Sequence, residues 1–125
     1  MAPGSRVLIV DDDPDAVLTC CTLLLREGYK VQGVHTVDDA LVALREFEPH
    51  AIILDLAMPL RDGFELAAMT RSRVVPPVVI VLSGVYSADT PAGLDKSMFD
   101  HYLTKPCDPQ VLLPLLARAE PKLKR

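Results

Sequence analysis

Four apolar runs in this chain each end in a side chain that can bind a cation or a phosphoryl group. These side chains are Asp11 and Asp12 after residues 7–10, Asp55 after residues 51–54, Ser83 after residues 78–82, and Lys105 after residues 101–104. If the runs are parallel strands, their carboxyl ends meet at one edge of a sheet. Carboxylates, a hydroxyl and an ammonium group then share a pocket suited to phosphoryl transfer.

The carboxylates of this pocket predict a site for a divalent cation, Mg²⁺ or Mn²⁺. Carboxylates crowded together repel one another, and a hard cation relieves that repulsion. Mg²⁺ prefers oxygen ligands, keeps several waters and often takes only one or two protein carboxylates. We therefore expect Asp12 and Asp55 to bind the ion directly. Asp11 is expected to act through water, and the backbone carbonyl of Ala57 is a candidate further ligand.

Asp55 is also a candidate nucleophile, since a carboxylate that attacks phosphorus gives an acyl phosphate. Lys105 would pair with one phosphoryl oxygen, and the Ser83 hydroxyl would donate to another. Such a reaction depends on positioning and charge neutralisation and needs no general base. Each residue alone is typical of a turn or a surface loop. The combination, in order and at successive strand ends, is what indicates phosphoryl chemistry.

The elements that must position these residues follow from the alternation of apolar runs with amphipathic stretches. Strands are predicted at about residues 6–10, 30–34, 51–55, 78–82 and 101–104, and helices at about residues 14–27, 36–48, 64–71, 91–98 and from 109 onwards. Alternating strands and helices predict an α/β protein with a parallel sheet covered on both faces. The first, third and fourth strands are nearly continuous apolar runs, which favours central positions, and the second strand is expected at an edge.

Local signals support several helix boundaries. Asp13 and Thr36 are predicted N-caps, and Asp108 with Pro109 is predicted to begin the last helix. Pro114 removes a backbone hydrogen bond from that helix, so a kink is expected there. Apolar side chains recur at helical spacing in the first two helices, namely Val17, Leu18, Cys21, Leu24 and Leu25 in the first, and Ala40, Leu41, Leu44 and Phe47 in the buried stripe of the second.

Composition limits the classes of function. A chain of 125 residues with 50% hydrophobic residues fits one domain over residues 1–125, with short disordered ends at about residues 1–5 and 121–125. The net charge of −4 argues against nonspecific nucleic-acid binding. The longest apolar stretch, residues 16–25, is shorter than the roughly 20 residues that a membrane helix needs. The three cysteines are interpreted as thiols, so a cytoplasmic protein is expected.

Four stretches of the chain together resemble the receiver domain of two-component response regulators. These stretches are residues 7–14, 53–63, 80–84 and 102–106. The resemblance implies a flavodoxin-like, doubly wound fold with five strands in the order 2-1-3-4-5. It also implies that Asp55 accepts a phosphoryl group from a phosphohistidine on a histidine kinase or a histidine phosphotransfer protein.

The resemblance assigns roles to the other residues of the pocket. Asp11 and Asp12 are the acidic pair, Ser83 is the switch hydroxyl, and Tyr102 is the aromatic switch residue that follows it. Lys105 contacts the phosphoryl group. Phosphorylation is expected to change how a downstream protein binds the face formed by the fourth helix, fifth strand and fifth helix. The chain is expected to be a stand-alone regulator or a receiver from a larger protein such as a hybrid histidine kinase.

Two other classes of protein fit part of the pattern. A phosphatase of the haloacid dehalogenase type would use Asp11 as nucleophile and Asp13 as acid/base. An interaction module would keep the receiver fold without being phosphorylated. The aspartate that carries a trapped phosphoryl group, or the absence of any such group, distinguishes these classes.

Overall fold

The computed structural model describes residues 1–55, 70, 76–83, 100–104 and 108–119. Its elements are β1 (Arg6–Val10), α1 (Pro14–Arg26), β2 (Lys30–Val34), α2 (Val37–Glu46), β3 (Ala51–Asp55), β4 (Val78–Ser83), β5 (His101–Thr104) and a C-terminal helix (Pro109–Arg118). The five strands and the first, second and last helices lie where the sequence predicts them. The third and fourth predicted helices fall almost wholly outside the described residues.

The strands form one parallel sheet in the order β2-β1-β3-β4-β5. This order confirms the doubly wound, flavodoxin-like arrangement. The strand order reverses next to β1, because the chain leaves β1 for β2 on one side and returns to β3 on the other. β1, β3 and β4 are central and β2 is an edge strand, as their apolar content predicts. The polar ends of β1 and β3 are therefore neighbours at the reversal point.

Helices cover both faces of the sheet and divide the core into two layers. α1 and the C-terminal helix pack on one face, and α2 packs on the other. The buried side chains of the first layer include Val7, Ile9, Val17, Leu24, Ile53, Ile80, Leu112 and Leu116. Those of the second layer include Leu8, Val10, Ala40, Leu44, Ile52, Leu54, Val79 and Val81. Successive strand residues alternate between the layers, as the pleat of a strand requires.

The predicted helix starts are confirmed by their hydrogen bonds. The side chain of Asp13 accepts the Asp15 N–H at 3.0 Å, and the Thr36 hydroxyl oxygen accepts the Asp39 N–H at 3.1 Å. Asp108 accepts the Gln110 N–H at 2.9 Å in the same way. These bonds satisfy amide groups that a helix leaves without a partner at its first turn. The caps at Asp13 and Thr36 place the starts of α1 and α2 at the carboxyl edge of the sheet.

The residues that α1 buries differ from the apolar residues at helical spacing that the sequence predicts for this helix. Val17, Cys20 and Leu24 are buried, whereas Leu18 is 66% exposed and Leu25 is 58% exposed. The sheet is covered by residues three and four apart, and Leu18 and Leu25 lie outside that stripe. Among the described helices, none has both the length and the apolar composition needed to cross a bilayer.

Met1, at the start of the described residues, is packed in the core layer that includes the C-terminal helix. The Met1 side chain is buried, and the N-terminal ammonium group donates to the carbonyl oxygens of Leu116 and Ala119 at 2.7 and 2.8 Å. A positive charge is favourable at the carboxyl end of a helix, where carbonyl groups lack helical partners. The Tyr29 hydroxyl donates to the Met1 carbonyl at 3.2 Å. Residues 121–125 lie outside the described part of the chain.

Gly33 allows α1 to pack closely on β2. A Cβ atom at this position would overlap the Cγ1 methyl of Val17 and would lie 3.2 Å from Cys21 Sγ. We predict that Gly33→Ala lowers the free energy of unfolding by about 1–3 kcal/mol, because overpacking forces neighbouring atoms to shift. Urea denaturation measures the change, with Gln32→Ala on the same strand as a control. Equal stability of the two variants would contradict the close approach.

His50 connects three strands at the amino edge of the sheet. Its N–H donates to the Arg6 carbonyl at 2.7 Å, its carbonyl accepts the Val78 N–H at 2.9 Å, and its ring Nδ1 accepts the Arg6 N–H at 2.9 Å. Burial, and to a lesser extent the Arg6 charge, lowers the pKa of His50 below its ordinary value of 6.5. Protonation of Nδ1 removes the acceptor for the Arg6 amide, so the folded protein favours the neutral ring.

The lowered pKa of His50 predicts an acid-sensitive contribution to stability. Below the unfolded pKa of 6.5, the unfolded chain binds a proton more readily than the folded chain does. The contribution is complete above that pH and is lost as the pH falls towards the folded pKa. Between about pH 7.5 and about pH 5.5, the native protein should lose more stability than His50→Asn, whose amide oxygen keeps an acceptor that does not titrate. Parallel losses in urea denaturation would contradict this.

Candidate functional site

The register of β1 and β3 places Asp11 beside Asp55. Val10 is paired with Leu54, so one further step along both strands aligns the two acidic residues. Ile9 and Ile53 belong to the core layer under α1. Because strand side chains alternate, Asp11 and Asp55 are directed to that same face. Neighbouring strands are separated by about 4.8 Å, which brings their terminal side chains within reach of one another.

The structure brings three of the predicted site residues together. Carboxylate oxygens of Asp11, Asp12 and Asp55 all lie within 4.8 Å of one another. Asp11 is 4% exposed and Asp55 is 3% exposed, whereas Asp12 is exposed to solvent. Asp11 and Asp55 thus form the floor of the cluster, and Asp12 lies at its mouth.

Hydrogen bonds hold Asp11 in place at the end of β1. Its N–H donates to the Val34 carbonyl at 3.2 Å, and its Oδ1 accepts the Asp13 N–H at 2.9 Å. The backbone carbonyl of Asp11 lies 3.2 Å from Nδ1 of His35. The loop after β1 is therefore fixed by its own turn and by the end of β2.

The remaining predicted residues are placed only by strand position or lie outside the described residues. Ser83 is the last residue of β4 and follows Leu82, which is paired with Asp55. Its backbone is therefore at the same edge of the sheet. Tyr102 lies on β5 and is paired with Val81 of β4. The side chains of Ser83 and Tyr102, and the whole of Ala57 and Lys105, lie outside what the structure describes.

The acidic cluster fits a small, hard divalent cation. Two oxygens that share a Mg²⁺ ion at about 2.1 Å are at most about 4.2 Å apart, so oxygens within 4.8 Å need only small side-chain rotations. Two like charges at about 4 Å repel by about 4 kcal/mol at an effective dielectric constant of about 20. A cation relieves that repulsion, and the Asp12 side chain is exposed to solvent.

His35 is a polar neighbour of the site that no sequence pattern indicated. It directly follows β2, whose register with β1 pairs Val34 with Val10. A polar residue at the end of an edge strand is a weak signal in the sequence. The nearness of His35 to Asp11 follows only from the strand order, which places β2 next to β1.

Comparisons with known proteins agree with this architecture. Residues 7–117 match the family model of the response regulator receiver domain. The DNA-binding response regulator MtrA of Mycolicibacterium smegmatis is 31% identical over 120 residues, which is 96% of this chain and 51% of that protein. The chain therefore spans about half the length of the curated relatives it matches.

Solved structures show the same arrangement. A CheY-like receiver domain from Methylobacillus flagellatus superposes with a TM-score of 0.78 at 30% identity, covering 91% of this chain and 97% of that one. The response regulator TrrA of Thermotoga maritima, solved in complex with Mg²⁺ and BeF, superposes with a TM-score of 0.77 at 26% identity. That alignment covers 91% of this chain and 97% of TrrA.

The repulsion within the cluster predicts a stabilising substitution. Without divalent cations, Asp12→Asn should raise the free energy of unfolding by up to about 1 kcal/mol, since one of three crowded charges is removed. Added Mg²⁺ should stabilise the native protein by mass action and stabilise the variant much less. Thermal unfolding with and without Mg²⁺ measures both effects.

Asp15→Asn is the matched control, because Asp15 is an exposed acid in the first turn of α1 and outside the cluster. It should show no gain in stability without the ion and should keep the response to Mg²⁺. An equal Mg²⁺ response in the native protein and in Asp12→Asn would contradict the assignment of the cluster as a cation site.

Proposed function

The chain belongs to the response regulator receiver family, and on that premise we propose that Asp55 is the phosphoryl acceptor of a two-component signalling module. The observation that carries the proposal is the convergence of Asp11, Asp12 and Asp55 at the carboxyl edge of the sheet. Asp55 is the member of this group that stands on β3, a strand buried along its whole length. A nucleophile on a buried central strand is held in a fixed position, as transfer chemistry requires.

The proposed transfer is a displacement at phosphorus. One carboxylate oxygen of Asp55 forms a bond to the phosphorus of a phosphohistidine while the P–N bond breaks. The electron pair of the P–N bond goes to the imidazole nitrogen of the donor. The imidazole leaves, and solvent supplies the proton that makes it neutral. The product is an acyl phosphate on Asp55.

Asp12 and Asp55 are proposed to hold Mg²⁺, with Asp11 acting through water and the Ala57 carbonyl as a further ligand. The bound ion would supply positive charge against the oxygens of the transferring group. The solved Mg²⁺ and BeF complex of TrrA supports this choice of ion for a related receiver. Asp11 contributes by orientation, since its backbone and carboxylate are both hydrogen-bonded.

Ser83 and Lys105 are proposed to contact the phosphoryl oxygens. In support, Ser83 is paired with Thr104 across β4 and β5, and Thr104 is the residue that precedes Lys105 in the sequence. Tyr102 is proposed as the aromatic residue that responds to the Ser83 hydroxyl. The face that includes β5 and the C-terminal helix would then change its affinity for a downstream protein.

The donor is proposed to be a histidine kinase or a histidine phosphotransfer protein. The output is less defined, because the curated relatives are about twice as long as the matched region. MtrA is described as a DNA-binding response regulator. We propose that this chain passes its phosphorylation state to a protein partner or to a linked output domain through the face described above.

Trapping the phosphorylated residue tests this proposal. The protein is incubated with Mg²⁺ and acetyl phosphate, and the modified residue is identified by peptide mass spectrometry after reductive trapping. We expect one phosphoryl group on Asp55, because that carboxylate is held on β3 beside the cation ligands. Asp55→Asn should lose the modification entirely, and Asp15→Asn should keep it.

The other outcomes decide between the alternative classes. Modification of Asp11 would support a phosphatase of the haloacid dehalogenase type and overturn the proposal. No modification with any donor, including a phosphorylated histidine phosphotransfer protein, would indicate an interaction module that has kept only the fold.

A further inference from the structure

His35 contacts the acidic cluster through the protein backbone. Its side chain is exposed, and its ring Nδ1 lies 3.2 Å from the carbonyl oxygen of Asp11. A carbonyl oxygen can only accept a hydrogen bond. For this contact to be a hydrogen bond, the ring nitrogen must carry the proton and donate it, which requires the Nδ1–H form of the imidazole rather than the form protonated only at Nε2.

Asp11 lies between two peptide groups, and the His35 contact restrains the second of them, which joins Asp11 to Asp12. The peptide group before Asp11 is tied to β2, because the Asp11 N–H donates to the Val34 carbonyl at 3.2 Å. The peptide group after Asp11 is tied to the residue that follows β2, because its carbonyl accepts from His35. With both groups held, the backbone dihedral angles of Asp11 are restrained and so is the direction of its Cα–Cβ bond.

The same peptide group also orients Asp12. The carbonyl that His35 contacts belongs to the amide that joins Asp11 to Asp12. Restraining this amide plane also restrains the position of the Asp12 Cα atom. Two like charges would otherwise move apart through backbone rotation in this short loop. The Asp13 N–H bond to Asp11 Oδ1 fixes the side chain but leaves that peptide group to be held by another partner.

The position of His35 separates it from the cation ligands themselves. Among the described residues, the candidate ligand atoms that lie within 4.8 Å of one another belong to Asp11, Asp12 and Asp55, and no histidine is in that group. The imidazole therefore acts on the cluster from outside. Groups that orient metal ligands in this way commonly affect affinity without touching the ion.

We propose that His35 is a positioning residue that holds the Asp11–Asp12 peptide group in the geometry needed to bind the divalent cation. The inference rests on the proposed function, since it assumes that the acidic cluster binds Mg²⁺. Loss of the imidazole should lower the affinity for Mg²⁺ because the carboxylates must then be ordered at the moment of binding. The global fold should be little affected, because the His35 side chain is exposed.

Isothermal titration with Mg²⁺ on the full chain tests the proposal. His35→Ala should raise the dissociation constant for Mg²⁺ by about 3- to 10-fold, the range expected for the net contribution of one hydrogen bond. His35→Asn should stay within about 2-fold of the native value, because its amide nitrogen occupies nearly the position of Nδ1 and can donate to the same carbonyl. Gln32→Ala, an exposed change on β2, should leave the affinity unchanged.

Three results would overturn the proposal. One is native affinity in His35→Ala, and another is failure of His35→Asn to restore it. The third is a loss that is much larger for Co²⁺ than for Mg²⁺, since an imidazole ligand matters more to Co²⁺ and would make His35 a ligand. If the native protein itself bound no Mg²⁺, the proposed function would fail instead, so the two failures are distinguishable.

The tautomer of His35 gives an independent readout. In long-range ¹H–¹⁵N spectra of the native protein at neutral pH, the Nδ1–H form should be enriched over its share in an unfolded control. An Nε2–H form at His35 would contradict the hydrogen bond on which the inference depends, whatever the stability of the variants.

Discussion

The organising constraint of this protein is the repulsion among carboxylates that the sheet holds together. Asp11 and Asp55 end adjacent parallel strands in register, and Asp12 follows directly, so their oxygens lie within 4.8 Å of one another. A flexible chain would separate these charges. The fold keeps them close because their backbones are continuous with two central strands of the core, and the energy of burying those strands greatly exceeds the repulsion.

Each surrounding element restrains one movement that would let the three carboxylates move apart. β2 holds Asp11 through the Val34 carbonyl, and the cap at Asp13 begins α1 immediately after the loop. Burial of Asp55 on β3 prevents its displacement along the sheet. A cation that binds at the cluster would relieve the remaining repulsion. Its binding is stronger where the ligands need no rearrangement. The proposed affinity for the ion and for a phosphoryl group would then derive from the stability of the sheet.

The strand ends and the N-caps could be predicted from the residues because each has a local signal, whereas the full strand order was an implication of the resemblance to receiver domains. Apolar runs mark β1, β3 and β4, and Asp or Thr before a helix marks its cap. No local sequence signal marks three other features, namely the packing of Met1, the contact of His35 with Asp11 and the exposure of Leu18. They depend on which element lies beside which, and on helix rotation, and these are set by the tertiary structure. Gly33 is similar, since its role appears only when α1 covers β2.

We propose that one edge of the sheet gathers ligands for a single cation around the acceptor carboxylate. A crystal structure of the protein grown with Mg²⁺ tests this arrangement. One ion is expected at about 2.1 Å from oxygens of Asp12 and Asp55, with Asp11 reached through a bound water. An ion bound elsewhere on the protein, or Asp12 and Asp55 contacting no common ion at saturating Mg²⁺, would contradict it.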